Sequence, residues 1–341
     1  MKYKLSIILP TYNAQDYLMG AINSIINQSI GFENIELIII DDNSSDNTQS
    51  IIKEVAKKYE NINAIFMDNN SGSPSRGRNI GIQKSTTDYV MFIDNDDLYA
   101  SDMCEKMFDS IVSQNVDVVT CKIEKRINGV PVVSNSFLND ISKNYLLKSY
   151  EDCLGLVSTG MQMMVWNKII KKELLWKNNI HFPEGKLYED LYFMLNVYIN
   201  AEGIYLMNDY KGYIYQVRKE NDDVSTSHQM SKITIFKFFN GFKKIQDALK
   251  DNNLVFPSLS GEMLGGFTKN FLLTDLDKDS QNEIIEGISP YLKSYKINTN
   301  LVNYNLLPNI LINLCIKIFS IYPKAFIWFF NNLKLLIKFN K

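Results

Sequence analysis

A chain of 341 residues, 45% hydrophobic and with a formal net charge of −2, can bury a sizeable core and divide into two or three structural units. Its 36 basic and 38 acidic residues leave no cationic excess for a phosphate backbone, so a nucleic-acid partner is excluded. Cys104, Cys121, Cys153 and Cys315 never fall at C-x-x-C spacing, which supports neither a zinc site nor a disulfide framework and favours a reduced, cytoplasmic setting.

The apolar run that follows Met1 is too short for a secretory leader. Leu5–Pro10, "LSIILP", reads instead as a strand covered on both faces. Pro10 ends it, and "AQDYLMGAINSIINQS" places apolar residues at helical spacing. "IELIIIDDNSSDNT" is a second buried strand that runs into polar turn residues, and "TQSIIKEVAKKYE" is an amphipathic helix. "INAIFMDN" predicts a third strand, "RGRNIGIQKST" a helix and "DYVMFIDNDD" a fourth strand. This alternation predicts a parallel sheet with helices on both faces.

Beyond residue 100 the pattern is mixed. Helices are expected at Met103–Ser113, Glu151–Leu156 and Leu187–Ile199, with strands at "VDVVTCKIEK" and "GYIYQVR". The polar stretch "RKENDDVSTSH" marks a boundary, and helical patterns dominate after it. The chain is expected to divide into 1–100, 101–227 and 228–341.

In such sheets ligands bind beyond the carboxyl ends of the strands, and each predicted strand here ends in polar residues. "IDNDD" puts Asp94, Asp96 and Asp97 within four positions, where like charges repel unless a cation or donor-rich ligand intervenes. Magnesium or manganese between Asp94, Asp96 and a diphosphate would neutralise both sides. A solvated turn is the alternative, with Asp97 capping a helix that starts near Ser101.

At "IIIDDNSSDNT", Ser45 and Asp46 suit helix capping, while Asp42 is placed to accept hydrogen bonds from a base or ribose. "NNSGSPSRGRNIG" is a Gly/Ser/Pro loop that opens a helix; it offers backbone N–H groups and, from Arg78, bidentate contacts to phosphate or ribose. Neither the dinucleotide nor the P-loop fingerprint is present.

"FPEGKLYEDLYFMLNVY" sets Glu189 and Asp190 at the head of an aromatic helix, where a general base is the functional reading and a dipole-stabilised first turn the structural one. The dipole favours the ionised acid. Side chains about 100° apart around a helix would let only one of the two face a reaction centre. His181 reads as packing, and His228 as a loop histidine or a third metal ligand.

Together "SIILPTYNAQDYL", "LIIIDDNSSDNT", "NSGSPSRGRNIGI", "YVMFIDNDDLY" and "LYEDLYFMLNVY" resemble the family-2 glycosyltransferases of the GT-A fold, over roughly Leu5 to Ser225. The resemblance is greatest to bacterial enzymes that build capsule, O-antigen or teichoic-acid glycans. It implies a Rossmann-like, mostly parallel α/β sheet with a helical C-terminal extension.

By resemblance, Pro10, Tyr12 and Asp42 hold base and ribose, and Asn70 and Arg78 complete that pocket. Asp94-Asn95-Asp96 matches the DXD motif, with Asp94 toward ribose or sugar and Asp96 on the Mn2+ or Mg2+ ion, which Asp94 helps to hold. Asp190 would be the base of an inverting transfer, with Glu189 its capping or acceptor-binding partner. The implied donor is a nucleotide-diphosphate sugar, a UDP-sugar, and the acceptor a glycan or lipid-linked glycan in cell-surface polysaccharide synthesis. A sugar nucleotidyltransferase is disfavoured by the missing G-x-G-T-R-like loop. A nucleotide-sugar-binding protein without catalysis is disfavoured by the presence of both acidic pairs.

From about Leu306 onward the chain combines Trp328, Phe, Ile and lysines without acids. That composition suits peripheral contact with the inner face of the cell membrane, and a buried helix is its alternative.

Overall fold

The computed structural model describes residues 2–132, 142–148, 163–184 and 189–217, with a few isolated positions beyond them. The chain forms two compact units, one of Met1–Gly185 with Glu189–Asp222 and the other of Lys186–Tyr188 with Asp223–Lys341. All elements named below belong to the first unit. The helix expected at Glu151–Leu156, the polar stretch from Arg218, His228 and the tail after Leu306 lie outside the described residues.

β1 (Leu5–Thr11) and β2 (Ile35–Asp41) are buried along their whole length, as continuous apolar runs require. They pair in parallel, Leu5 beside Ile35 through Thr11 beside Asp41. β3 (Ile62–Phe66) extends the parallel set on one side and β4 (Tyr89–Phe92) on the other. α1 (Leu18–Ile26), α2 (Thr48–Lys58) and α3 (Pro74–Lys84) connect them.

The rest of the sheet is mixed. β5 (Leu98–Tyr99) precedes α4 (Met103–Gln114), which leads into β6 (Val118–Ile127). β7 (Val130–Pro131), β8 (Tyr145–Leu147), β9 (Lys168–Lys171), α5 (Lys172–Lys177), α6 (Glu189–Asn200) and β10 (Ile204–Val217) follow. The strand order is β3-β2-β1-β4-β9-β6-β10-β5, with β7 beside β6 and β8 beside β10.

Two features of this half position the site. β9 runs antiparallel to β4, Met91 facing Ile169, so its first residue, Lys168, lies at the same edge as the carboxyl end of β4. β10 shifts register between Met207 and Tyr213. Such irregularities re-aim side chains, and beyond this one Tyr213 and Ile214 pair with β5.

α3 lies unusually close to β1. A Cβ on Gly81 would come within 2.3 Å of Ile8, and one on Gly77 within 3.2 Å of Pro10. The two glycines allow this approach, and Arg78 between them becomes buried, 2% exposed.

Candidate active site

The carboxyl ends of β1 and β2 are laced together. The Asp42 N–H donates to the Thr11 carbonyl (2.8 Å), and the Asp42 carboxylate accepts the Ser71 N–H (2.9 and 3.0 Å) and hydroxyl (3.0 Å). Asn70 donates to the Asp42 carbonyl (3.2 Å) and accepts the Gly72 N–H (2.7 Å). Asp42 and Asn70, picked from separate motifs, thus meet in one loop. Gly72, at φ 72°, makes the turn that an L side chain would strain.

Tyr12 stands beside them, 48% exposed, while Pro10 is buried under α3. Asp41 is fully occupied within the fold: it accepts from Ser44 and from Gln49. Of the expected caps, Asp46 accepts the Thr48 N–H at the start of α2 (2.9 Å).

At the end of β4, Asp94, Asn95 and Asp96 are partly exposed and Asp97 is buried. Asp97 does not cap a helix; α4 begins only at Met103. Its carboxylate accepts the Tyr213 hydroxyl (2.7 Å) and the Gln216 N–H (2.7 Å), tying the acidic turn to β10. The Asp94 N–H reaches the Tyr213 oxygen (3.3 Å), and the Gln216 side chain donates to the Asp96 carbonyl (2.9 Å). Burial, with the charges of Asp96 and Asp94, pushes Asp97 up to about 8.

Arg78 joins this turn to the head of α6. One terminal nitrogen donates to Asp94 (2.9 Å); the other donates to Asp190 and lies 3.7 Å from Glu189. Its guanidinium packs over the Phe182 ring at 5.3 Å. Phe182 stacks on Phe193 of α6 at 3.8 Å and meets Phe92 of β4 edge-on at 5.5 Å. Asn79 exchanges hydrogen bonds with the Phe182 backbone (2.8 and 2.9 Å). This apolar block fixes α6 so that its first turn meets Arg78.

Burial works against the charge on Arg78, but Asp190, Asp94 and Glu189 outweigh it and raise its pKa further. Glu189 and Asp190 are both raised above their ordinary values, first by burial; Arg78 opposes the shift in each. The dipole-based expectation of a readily ionised acid is thus overridden by desolvation. Both acids reach the same arginine, Asp190 more closely, so their divergence around the helix does not separate them.

Asp94 and Asp96 offer hard oxygen donors in a crowded acidic turn. This fits a magnesium- or manganese-type ion that takes one or two carboxylates and completes its shell from a ligand's phosphates. Among the described residues, no group of three or more His, Cys, Asp or Glu side chains is placed to hold a metal without such help. His181 is exposed, with its ring against the Asn179 carbonyl (3.0 Å). Sequence patterns did not single out Lys168, Tyr213 or Gln216. A lysine inside the apolar "VWNKII" was the available signal for the first.

A sheet of this order, with polar chemistry collected along one strand edge, has the GT-A form of the Rossmann-like fold. TarS 1-349 of Staphylococcus aureus, crystallised in complex with UDP, has that fold with a TM-score of 0.67 at 23% identity, covering 95% of this chain and 89% of that one. The description "Glycosyl transferase family 2" matches residues 6–179. The chain belongs to that family.

Among its relatives, the poly(ribitol-phosphate) beta-glucosyltransferase of Bacillus spizizenii is 30% identical over 253 residues, 74% of this chain and 37% of that protein. The poly(ribitol-phosphate) beta-N-acetylglucosaminyltransferase TarP of S. aureus is 30% identical over 251 residues, 72% of each chain. This chain spans little more than a third of the Bacillus relative and most of TarP.

Proposed function

We propose that the protein transfers a sugar, with inversion, from a UDP-sugar to a glycan or lipid-linked acceptor of cell-surface polymer synthesis. The observation that carries this reading is the Arg78 clamp, which brings Asp94 of the strand-end cluster and Asp190 of the helix head to one edge of the sheet. Support for the donor comes from TarS 1-349, which has been crystallised with UDP and with UDP-GlcNAc.

In this reading Pro10, Tyr12, Asp42 and Asn70 receive the uridine, and Asp94, Asn95 and Asp96 face ribose, sugar and diphosphate. Mn2+ or Mg2+ on Asp96 and Asp94 would offset the charge of the leaving diphosphate. Asp190 accepts the acceptor hydroxyl's proton as that oxygen bonds to the anomeric carbon and the bond to the diphosphate breaks. Glu189 flanks the acceptor. Arg78 keeps Asp94 and Asp190 at fixed spacing, and so orders the two acids beside the ribose pocket it helps to complete.

The C-terminal tail suits contact with the inner membrane face, where a lipid-linked acceptor would lie; co-sedimentation of the full chain with anionic liposomes tests this. No helix among the described residues is long and apolar enough to cross a membrane.

Calorimetry of UDP binding with and without manganese tests the donor site. The reading expects metal-dependent binding in the parent protein and its loss in Asp96→Ala with the fold intact. Unchanged metal-dependent affinity in that variant overturns it.

A further inference from the structure

Lys168, the first residue of β9, has no part in the transfer described above, yet it is fully buried at the ligand edge of the sheet. Its ammonium donates to the Met164 carbonyl (2.5 Å) and to the Asn167 side-chain oxygen (2.6 Å). Asn167 in turn donates to the Cys121 carbonyl of β6 (2.5 Å), and the Cys121 N–H returns a bond to the Asn167 carbonyl (3.1 Å). The turn from Met164 to Lys168 is therefore closed on itself and pinned to the sheet.

That turn touches both acidic groups of the site. The Val165 N–H supports the ionised Asp190 carboxylate. The Trp166 ring stacks on Tyr213 at 4.1 Å, and the Tyr213 hydroxyl meets Asp97 and the Asp94 N–H. An apolar residue would fill the Lys168 position without the cost of burying a charge. Burial brings its ammonium down to about 7, while Cys121 from β6 and Asp190 from α6 act in the opposite direction.

We propose that Lys168 is a positioning residue for the transfer: it braces the Met164–Lys168 turn, so that Val165 and Arg78 hold the Asp190 carboxylate aimed, and where its ammonium is protonated it favours the ionised form of that acid. The inference rests on Asp190 being the base.

Lys168→Gln in the full chain keeps a hydrogen-bond donor and removes the charge. The expected result is a kcat lower by roughly tenfold or more, with the donor KM within about twofold of the parent. The acid limb of the kcat–pH profile should move to higher pH, since an acid deprived of a nearby cation binds its proton more tightly. A kcat near the parent's overturns the proposal. So does a lower kcat with an unmoved acid limb, which is what a purely structural lysine would give.

Should Lys168→Gln fail to fold, lysine Cε NMR titrations of the parent and of Asp190→Asn decide the matter. The lysine that titrates near neutrality should shift downward when Asp190 loses its charge, and an unmoved titration overturns the proposal. Normal turnover by Asp190→Asn would refute the base assignment on which the proposal rests, whereas lost turnover in that variant with an unmoved lysine titration would overturn the role of Lys168 and leave the base assignment standing.

Discussion

Arg78 is the one cation in direct contact with Asp94, Glu189 and Asp190 among the described residues. Removing the cation of this buried ionic cluster leaves its carboxylates uncompensated, at about 3–5 kcal/mol. Arg78→Met is therefore expected to lower the unfolding free energy from urea titration by that order, and the midpoint with it, with part of the loss recovered at acid pH as the three carboxylates take up protons. A midpoint within error of the parent's at every pH would contradict the clamp. Asp190→Asn leaves Arg78 with Asp94 and Glu189 and is expected to cost less stability than Arg78→Met and to keep donor binding, with turnover lower by about 10²–10⁴-fold, the usual cost of losing a general base. Near-normal turnover would send the role to Glu189 or elsewhere.

At the scale of elements, the packing of α3 on β1 places Arg78. A methyl group at position 81 would sit 2.3 Å from Ile8, so Gly81→Ala must displace the Ile8 side chain or the helix itself. Overpacking of this kind costs about 1–3 kcal/mol, and thermal unfolding should show it together with a loss of turnover. A fully active, equally stable Gly81→Ala protein would show that the close approach is dispensable.

The elements also show what a sequence can carry. β1, β2 and β4 were legible because a short, continuous apolar run between turn residues suits a strand buried on both faces. Asp42 and Asn70 were legible as polar residues at strand ends. The partners of Asp97 were not: Tyr213 and Gln216 lie on β10, more than a hundred positions later, and face the acidic turn after a register shift that periodicity does not reveal. The raised pKa of Glu189 and Asp190 was missed for a related reason. A helix dipole is a local cue, whereas desolvation depends on burial by segments distant in the chain.

For the whole molecule, Lys168 links the site to folding. Its ordinary value is 10.5 and its folded value about 7, so between these the unfolded chain binds more protons and stability rises with pH. The contribution is present above the unfolded value and lost as pH falls to about 7. Lys168→Met lacks this slope. The melting temperature of the parent should therefore rise relative to that of Lys168→Met as pH goes from 7 to 10, and parallel curves would contradict the lowered titration of Lys168.

The account as a whole stands on the reaction at the sheet edge. The most direct measurement is product analysis after the full-length protein is incubated with a panel of UDP-sugars, manganese and a teichoic-acid-type acceptor. The account predicts release of UDP with the sugar joined to the acceptor in inverted configuration. Release of pyrophosphate, or retention of the anomeric configuration in the product, would contradict it.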